Sequence, residues 1–161
     1  MFALRCTKKL LDCIPGTVSE PGPSDTLLGD WYANVHEAEP PLILLISERT
    51  LLPIVISANP IDEIVVNFSE QLAFVLHNLG VDREQIMREL HLMSQCQIGK
   101  TVNRRVTRLM SDSMYHLGRA RYDRKLKSLA QISAYLDIFP LKALAYRKAG
   151  EVTRDLFAAA S

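Results

Sequence analysis

The spacing of apolar and polar residues divides the chain into a strand-forming first third and a helix-forming remainder. Phe2 to Cys6 reads as a short strand, followed by a one- or two-turn helix over Lys8 to Ile14. In Trp31 to His36, alternation sets Trp31, Ala33 and Val35 on one face and Tyr32, Asn34 and His36 on the other. Leu42 to Ile46 is apolar without interruption, the pattern of a central strand covered on both faces. Leu51 to Ile56 is a further strand, and Pro53, which has no amide to donate, places it at a sheet edge or bulge. Three sequential strands with short links predict an antiparallel meander.

From Asn59-Pro60 onward the period lengthens to that of a helix. Phe68, Leu72, Val75, Leu76 and Leu79 form one stripe, and Gly80 is a natural stop. Val81, Asp82 and Ile86 have the spacing of a hydrophobic staple around an Asp N-cap, opening a second helix to about Met93 that buries Ile86, Leu90 and Met93. Gln95 to Ile98 reads as a short return strand. Gly99-Lys100-Thr101 then turns the chain, with Thr101 as the expected N-cap of a third helix. Along it Val102, Val106, Leu109, Met110 and Leu117 share a stripe with Ser113, while Arg104, Arg105 and Arg108 lie opposite and face outward. Gly118 permits a break, a helix through Leu126, Leu129, Ile132 and Leu136 follows, and Pro140 opens a last helix packed through Leu141, Leu144, Val152 and Leu156. The segment Pro15 to Asp25 is dominated by Pro, Gly and Ser, and is expected to be a disordered surface loop in preference to a lid.

The fold class is therefore α+β: a small antiparallel sheet, a meander, packed by helices, with a C-terminal helical extension. The division expected is a core domain over 1–118 and an extension over 119–161 packed on it. A length of 161 residues, 48% apolar and 23% charged, suits a complete hydrophobic core and excludes wholesale disorder.

Charge changes this picture more than composition does. The net of +1 hides a segregation: residues 1–99 carry six Lys/Arg against thirteen Asp/Glu, a net of −7. Residues 100–127 carry nine against two, a net of +7. Such asymmetry implies an anionic partner for the basic segment, internal pairing between the two regions, or contact with the acidic half of a neighbouring copy. Cys6, Cys13 and Cys96 are odd in number and lack CxxC spacing, which points to reduced thiols in a cytoplasmic protein and away from a disulfide frame or zinc site. The N-terminal residues lack the apolar run and cleavage site of an export signal, and the densest apolar run, Pro40 to Val55, is too interrupted to span a bilayer.

Candidate chemistry is sparse. Gly99-Lys100-Thr101 resembles the end of a phosphate loop, but the position five before Gly99 is Ser94, where that loop needs glycine. A looser possibility is a single phosphate or carboxylate held by the amides of this helix N-terminus with Lys100. His36, His77, His91 and His116 have no ligand spacing, and no GxSxG elbow nominates a nucleophile. No cofactor, no metal and no catalytic residue is assigned, and the reading leans away from an enzyme. The candidate binding surface for nucleic acid, an anion or an acidic protein is Lys100, Arg104, Arg105, Arg108, Arg121 and Arg124. Tyr115 and Tyr122 are interleaved with these cations and suit stacking on unpaired bases, although tyrosines also cover helix junctions. The alternative is a polar enzyme or ligand-sensor site gathering Thr101, Asn103, Arg104 and Asp112 near Trp31, Asn34 or His36.

Four segments together resemble an uncharacterised bacterial family known only as a domain of unknown function. They are Arg5 to Asp12 (RCTKKLLD), Gly29 to Asn34 (GDWYAN), Glu48 to Pro53 (ERTLLP), and Thr101 to Arg104 with Met110 to Asp112. The family's last motif reads T-x-N-R-S-V-L-G-x-M-N-D. This chain keeps Thr101, Asn103, Arg104, Val106, Met110 and Asp112, and departs at Arg105, Thr107, Arg108 and Ser111. The resemblance spans about Phe2 to His116 and implies no activity, substrate or cofactor. Two of its departures add arginines, so this helix is more cationic than the pattern it resembles.

Overall fold

A computed structural model describes Met1 to Ser161. Its strands are β1 (Phe2–Cys6), β2 (Trp31–His36), β3 (Leu42–Ser47), β4 (Pro53–Ser57) and β5 (Cys96–Lys100). Its helices are α1 (Lys8–Leu11), α2 (Ile64–Asn78), α3 (Arg83–Leu92), α4 (Arg104–Ala120), α5 (Leu129–Leu136) and α6 (Ala149–Ala159). The strands make one sheet in the order β4-β3-β2-β1-β5. Strands β2, β3 and β4 form the expected antiparallel meander. The sheet as a whole is mixed, because β1 inserts between β2 and β5 and runs parallel to both. Parallel neighbours need a long crossover, and the chain from Thr7 to Asp30, which holds α1 and the Pro/Gly-rich loop, supplies it between β1 and β2.

Alternation along the strands gives the sheet two differently built faces. Phe2, Leu4 and Trp31 lie on one, where the Phe68 ring of α2 packs 6.0 Å from Phe2 and edge-on to Trp31 at 4.7 Å. Arg5 and Tyr32 are register partners on the other face, beneath α4. A single contiguous core of 35 buried residues runs from Phe2 to Phe157, so Ile132, Leu136, Ala149 and Phe157 from the C-terminal part belong to it. No helix is long and apolar enough to cross a membrane.

Both sheet edges are covered. Strand β4, which begins at Pro53, is an edge as its proline requires, and the Ser133 hydroxyl of α5 accepts its Val55 amide at 2.9 Å. Along the other edge, residues 15–25 pack on β5: the Ser19 amide donates to Ile98 O at 2.9 Å and the Gly22 amide to Gln97 Oε1 at 3.0 Å. A Cβ at Gly99 would stand 2.6 Å from Pro21 Cγ, so the close approach of this loop depends on glycine there.

Several helix boundaries differ from the sequence reading. Gly80 (φ +86°) ends the turn after α2 and Asp82 caps α3, both as expected. Helix α4 is capped by Asn103, whose Oδ1 accepts from the amides of Arg105 and Val106, and not by Thr101. Val102 consequently precedes the helix and is exposed. Helix α4 also runs on through Gly118 without a break; glycine there leaves room for His36, whose Nε2 would stand 3.3 Å from a Cβ. Pro140 opens no long helix: Leu141 bridges to Arg147, a single 3₁₀ turn covers Lys142–Leu144, and α6 begins only at Ala149. Helix α6 buries Ala149, Gly150, Thr153 and Phe157, and leaves Val152 and Leu156 half-buried. Gly150 sets that rotation, since its amide donates to Asp137 Oδ1 at 2.8 Å in a contact that leaves no room for a side chain.

Candidate functional site

The four sequence motifs converge beneath the first turn of α4. Arg5 Nε of β1 pairs with Asp30 Oδ2 at 2.9 Å, both nearly buried, and its Nη1 donates to Lys100 O at 3.1 Å. The Glu48 amide donates to Asp30 O at 2.9 Å. The Tyr32 phenol oxygen accepts from the Asn103 amide at 3.0 Å, and Asn103 Nδ2 reaches Glu48 Oε1 at 3.5 Å. Burial pushes the Tyr32 phenol above its ordinary range, so it stays protonated. At the far end of β1 the Thr7 hydroxyl caps α1 and donates to Asn34 Oδ1 at 2.7 Å. The buried charges and amides of this layer are partnered, and the layer fixes α4 on the sheet.

Fixing α4 turns its opposite face outward into a groove. Arg104, Arg105, Arg108, Leu109 and Asp112 form one wall, since residues 104, 108 and 112, with their neighbours 105 and 109, recur each turn. Pro140 to Ala143 form the facing wall, and Leu51 lines the space with them, for a volume of about 790 Å³. The next turn of α4 brings His116 into a stack on Phe139, the residue before Pro140, with ring centroids 4.4 Å apart. All three non-glycine residues with positive φ lie in or next to this groove: Leu51 lines it, and Ala145 and Tyr146 follow its second wall.

The groove is cationic and its charges are free. It holds Arg104, Arg105, Arg108 and Lys142 against one carboxylate, Asp112. The five ion pairs of the protein are Met1–Asp25, Arg5–Asp30, Lys8–Asp12, Lys9–Glu37 and Arg147–Asp155. None involves residues 100–127, so the segregated charge is not neutralised within the chain.

The remaining candidates divide. Lys100 is exposed at the end of β5, and Arg124 is exposed in the turn after α4. Arg121 is engaged: its Nη1 lies 2.7 Å from His36 Nδ1 and its Nη2 donates to Pro40 O. A guanidinium only donates, so His36 accepts at Nδ1 as the neutral ring, and burial, Arg121 and Lys9 all lower its pKa. Of the polar set, Arg104 and Asp112 share the groove and Asn103 turns inward to Tyr32 and Glu48. Thr101 makes no side-chain hydrogen bond, and Trp31 is buried on the far face of the sheet. The first-turn amides of Arg105 and Val106 are occupied by Asn103, which removes them as a phosphate cradle. His77 and His91 are exposed, and no group of three or more His, Cys, Asp or Glu is placed to hold a metal ion. Leu51 and Lys142, which share the groove with Arg108, and the His116–Phe139 stack are not legible in the sequence, because each joins residues distant along the chain.

No curated protein and no solved structure matches the chain. A family model, described as a domain of unknown function (DUF6933), matches residues 3–152. The match runs past His116, where the motif resemblance stopped, and takes in α5 and the second wall of the groove. With nearly its whole length matched, the chain belongs to this family of unknown function.

Proposed function

We propose that this protein is a non-enzymatic, cytoplasmic binding module that holds nucleic acid against the outer face of α4. The observation that carries the reading is the set of unpaired cations: residues 100–127 hold nine Lys/Arg against two acidic residues, and no ion pair consumes any of them. Leaving like charges together is unfavourable unless an anion neutralises them, and phosphate backbones do so with release of counterions. The C-terminal extension serves as the second wall and adds Lys142. Burial holds the Cys6 thiol up at about 12 and Cys96 at about 11, so both stay protonated and offer no nucleophile, in keeping with a non-enzymatic role.

A salt titration of binding to labelled nucleic acid tests this reading. Affinity is expected to fall steeply with salt, and Arg104→Ala with Arg108→Ala to abolish it while thermal stability is kept. Binding to an acidic polypeptide but to no nucleic acid would transfer the surface to a protein partner. A second reading rests on the groove itself, whose volume of about 790 Å³ is that of a small-molecule site and which contains both Arg104 and Asp112. A nucleoside phosphate that stabilises the protein thermally, while oligonucleotides do not bind, would favour a sensor of small anions.

A further inference from the structure

We infer that the nucleic acid taken by this surface is single-stranded, read by an arginine–tyrosine ridge along α4; the inference rests on the proposed nucleic-acid binding. At 3.6 residues per turn, Arg104, Arg108, Ser111, Tyr115 and Arg119 fall in one row, and Tyr122 continues it just past the helix. At 1.5 Å per residue the row is roughly 27 Å long, enough to track several nucleotides. The ordinary role of such tyrosines is to cover helix junctions, and these two do not: Tyr115 is 64% exposed and Tyr122 67% exposed. Neither phenol makes a hydrogen bond within the chain. Tyr32, by contrast, is buried and bonded to Asn103. The Arg121 guanidinium lies 5.7 Å from the centroid of the Tyr122 ring, which keeps a cation beside a flat apolar surface.

Duplex and single strand offer such a surface different things. Both supply phosphates to the guanidinium groups. A duplex hides its base faces in the stack, so exposed tyrosine rings and an apolar groove lining gain nothing from it. Unstacked bases lay a π-face on each ring, and base–aromatic stacking tolerates any sequence. Leu51, Leu109, Pro140 and Leu141, set between the groove cations, give a further base a place to leave water.

Fluorescence anisotropy with one labelled oligonucleotide, as a single strand and annealed to its complement at the same salt, tests the inference. Single strand is expected to bind at least tenfold more tightly than duplex. The Tyr115→Ala/Tyr122→Ala variant should lose roughly tenfold or more of single-strand affinity, and Tyr115→Phe/Tyr122→Phe should retain it, since stacking needs the ring and not the hydroxyl. Both tyrosines are exposed, so circular dichroism should report unchanged folding. Duplex bound as tightly as single strand, or tyrosine-to-alanine variants bound like wild type, would overturn the single-strand inference and leave the nucleic-acid reading standing. No binding of either form at low salt would overturn both.

Discussion

The phenol oxygen of Tyr32 accepts the backbone amide of Asn103 at 3.0 Å, tying the second strand of the sheet to the residue that caps α4. Asn103 therefore works twice: its own amide is held by the sheet, and its side chain closes the first turn of the helix. The orientation of the cationic face follows from this junction. A helix anchored at its cap by a buried side chain has little freedom to roll, so the residues opposite Val106 and Met110 must face the solvent.

Removing the phenol oxygen should loosen that anchor without touching the groove. Tyr32→Phe leaves the Asn103 amide without its acceptor and should cost about 1–2 kcal/mol by urea denaturation. Asn103→Ala removes the side-chain cap but keeps the backbone amide that Tyr32 accepts, and should cost about 1–2 kcal/mol on its own. Because a frayed first turn also loosens the amide that Tyr32 holds, their double variant should fall short of the sum. Additive losses would mean that the two act independently.

The Arg5–Asp30 pair beside it is nearly buried, with side chains 11% and 10% exposed. Taking away one partner strands the other charge, so Asp30→Ala should destabilise by about 3–5 kcal/mol. Exchanging both for apolar residues of similar volume, Arg5→Met with Asp30→Leu, should cost much less. A double variant as unstable as Asp30→Ala would show that the further bonds, Arg5 to Lys100 O and Ala3 to Asp30 Oδ1, carry the stabilisation instead.

Gly150 and Asp137 make a second coupled pair. A Cβ at Gly150 would stand 2.2 Å from Asp137 Oδ2 and 2.8 Å from Leu79 Cδ2, so Gly150→Ala must push both side chains aside and strain the bond from the residue 150 amide to Asp137. A loss of about 1–3 kcal/mol is expected. Asp137→Ala in the same chain removes the nearer obstruction and should recover part of it, read as a non-additive cycle in thermal unfolding. Full additivity would place the strain elsewhere.

These junctions mark where the sequence could be read and where it could not. The continuous apolar run of β3, the edge position of Pro53, the Asp82 cap and the outward arginines of α4 are local patterns, and the structure repeats them. The insertion of β1 is not local, since its register partners on the two parallel neighbours lie 27 and 94 residues away. Asn103 and Thr101 are both good caps, and the contact that holds Asn103 comes from Tyr32, some seventy residues earlier in the chain, which no local pattern shows. The face that α6 buries differs from the stripe of Val152 and Leu156, because Gly150 and Thr153 pack by fit and hydrogen bonding and leave no apolar pattern. Thr153 donates to Thr50 at 2.8 Å in the core. Arg121 and Arg108 look alike in sequence, yet one is spent on His36 and Pro40 O and the other is free.

His36 gives the protein a titration that can be followed. Burial, Arg121 and Lys9 hold its pKa below the ordinary value of 6.5. The unfolded chain then binds the proton more readily than the folded one. The stabilisation is present above pH 6.5 and is lost as pH falls through the lower folded value. Buried Glu89 and Asp137 have raised pKa values and oppose this at lower pH, so the comparison must be with a variant. His36→Gln, which keeps an acceptor for Arg121, should lose less stability than wild type between pH 7.5 and 5.5. An NMR titration placing the His36 ring at or above 6.5 would contradict the assigned neutral form.

The division between engaged and free cations is the sharpest consequence for binding. Lys142 stands in the second groove wall, has no ion pair, and lies far along the chain from Arg108. If the proposed single-strand binding holds, Lys142→Ala should weaken it and reduce the slope of log affinity against log salt by about 0.7, the share of one phosphate contact. Its melting temperature should not change, because an exposed lysine without a partner contributes little to folding. Arg121→Ala should behave in the opposite way. It releases His36 and Pro40 O and should lower the melting temperature, while the salt slope stays near that of wild type. If Arg121 proves to carry the salt dependence and Lys142 does not, the binding surface lies along the outer end of α4 and the groove is not its centre.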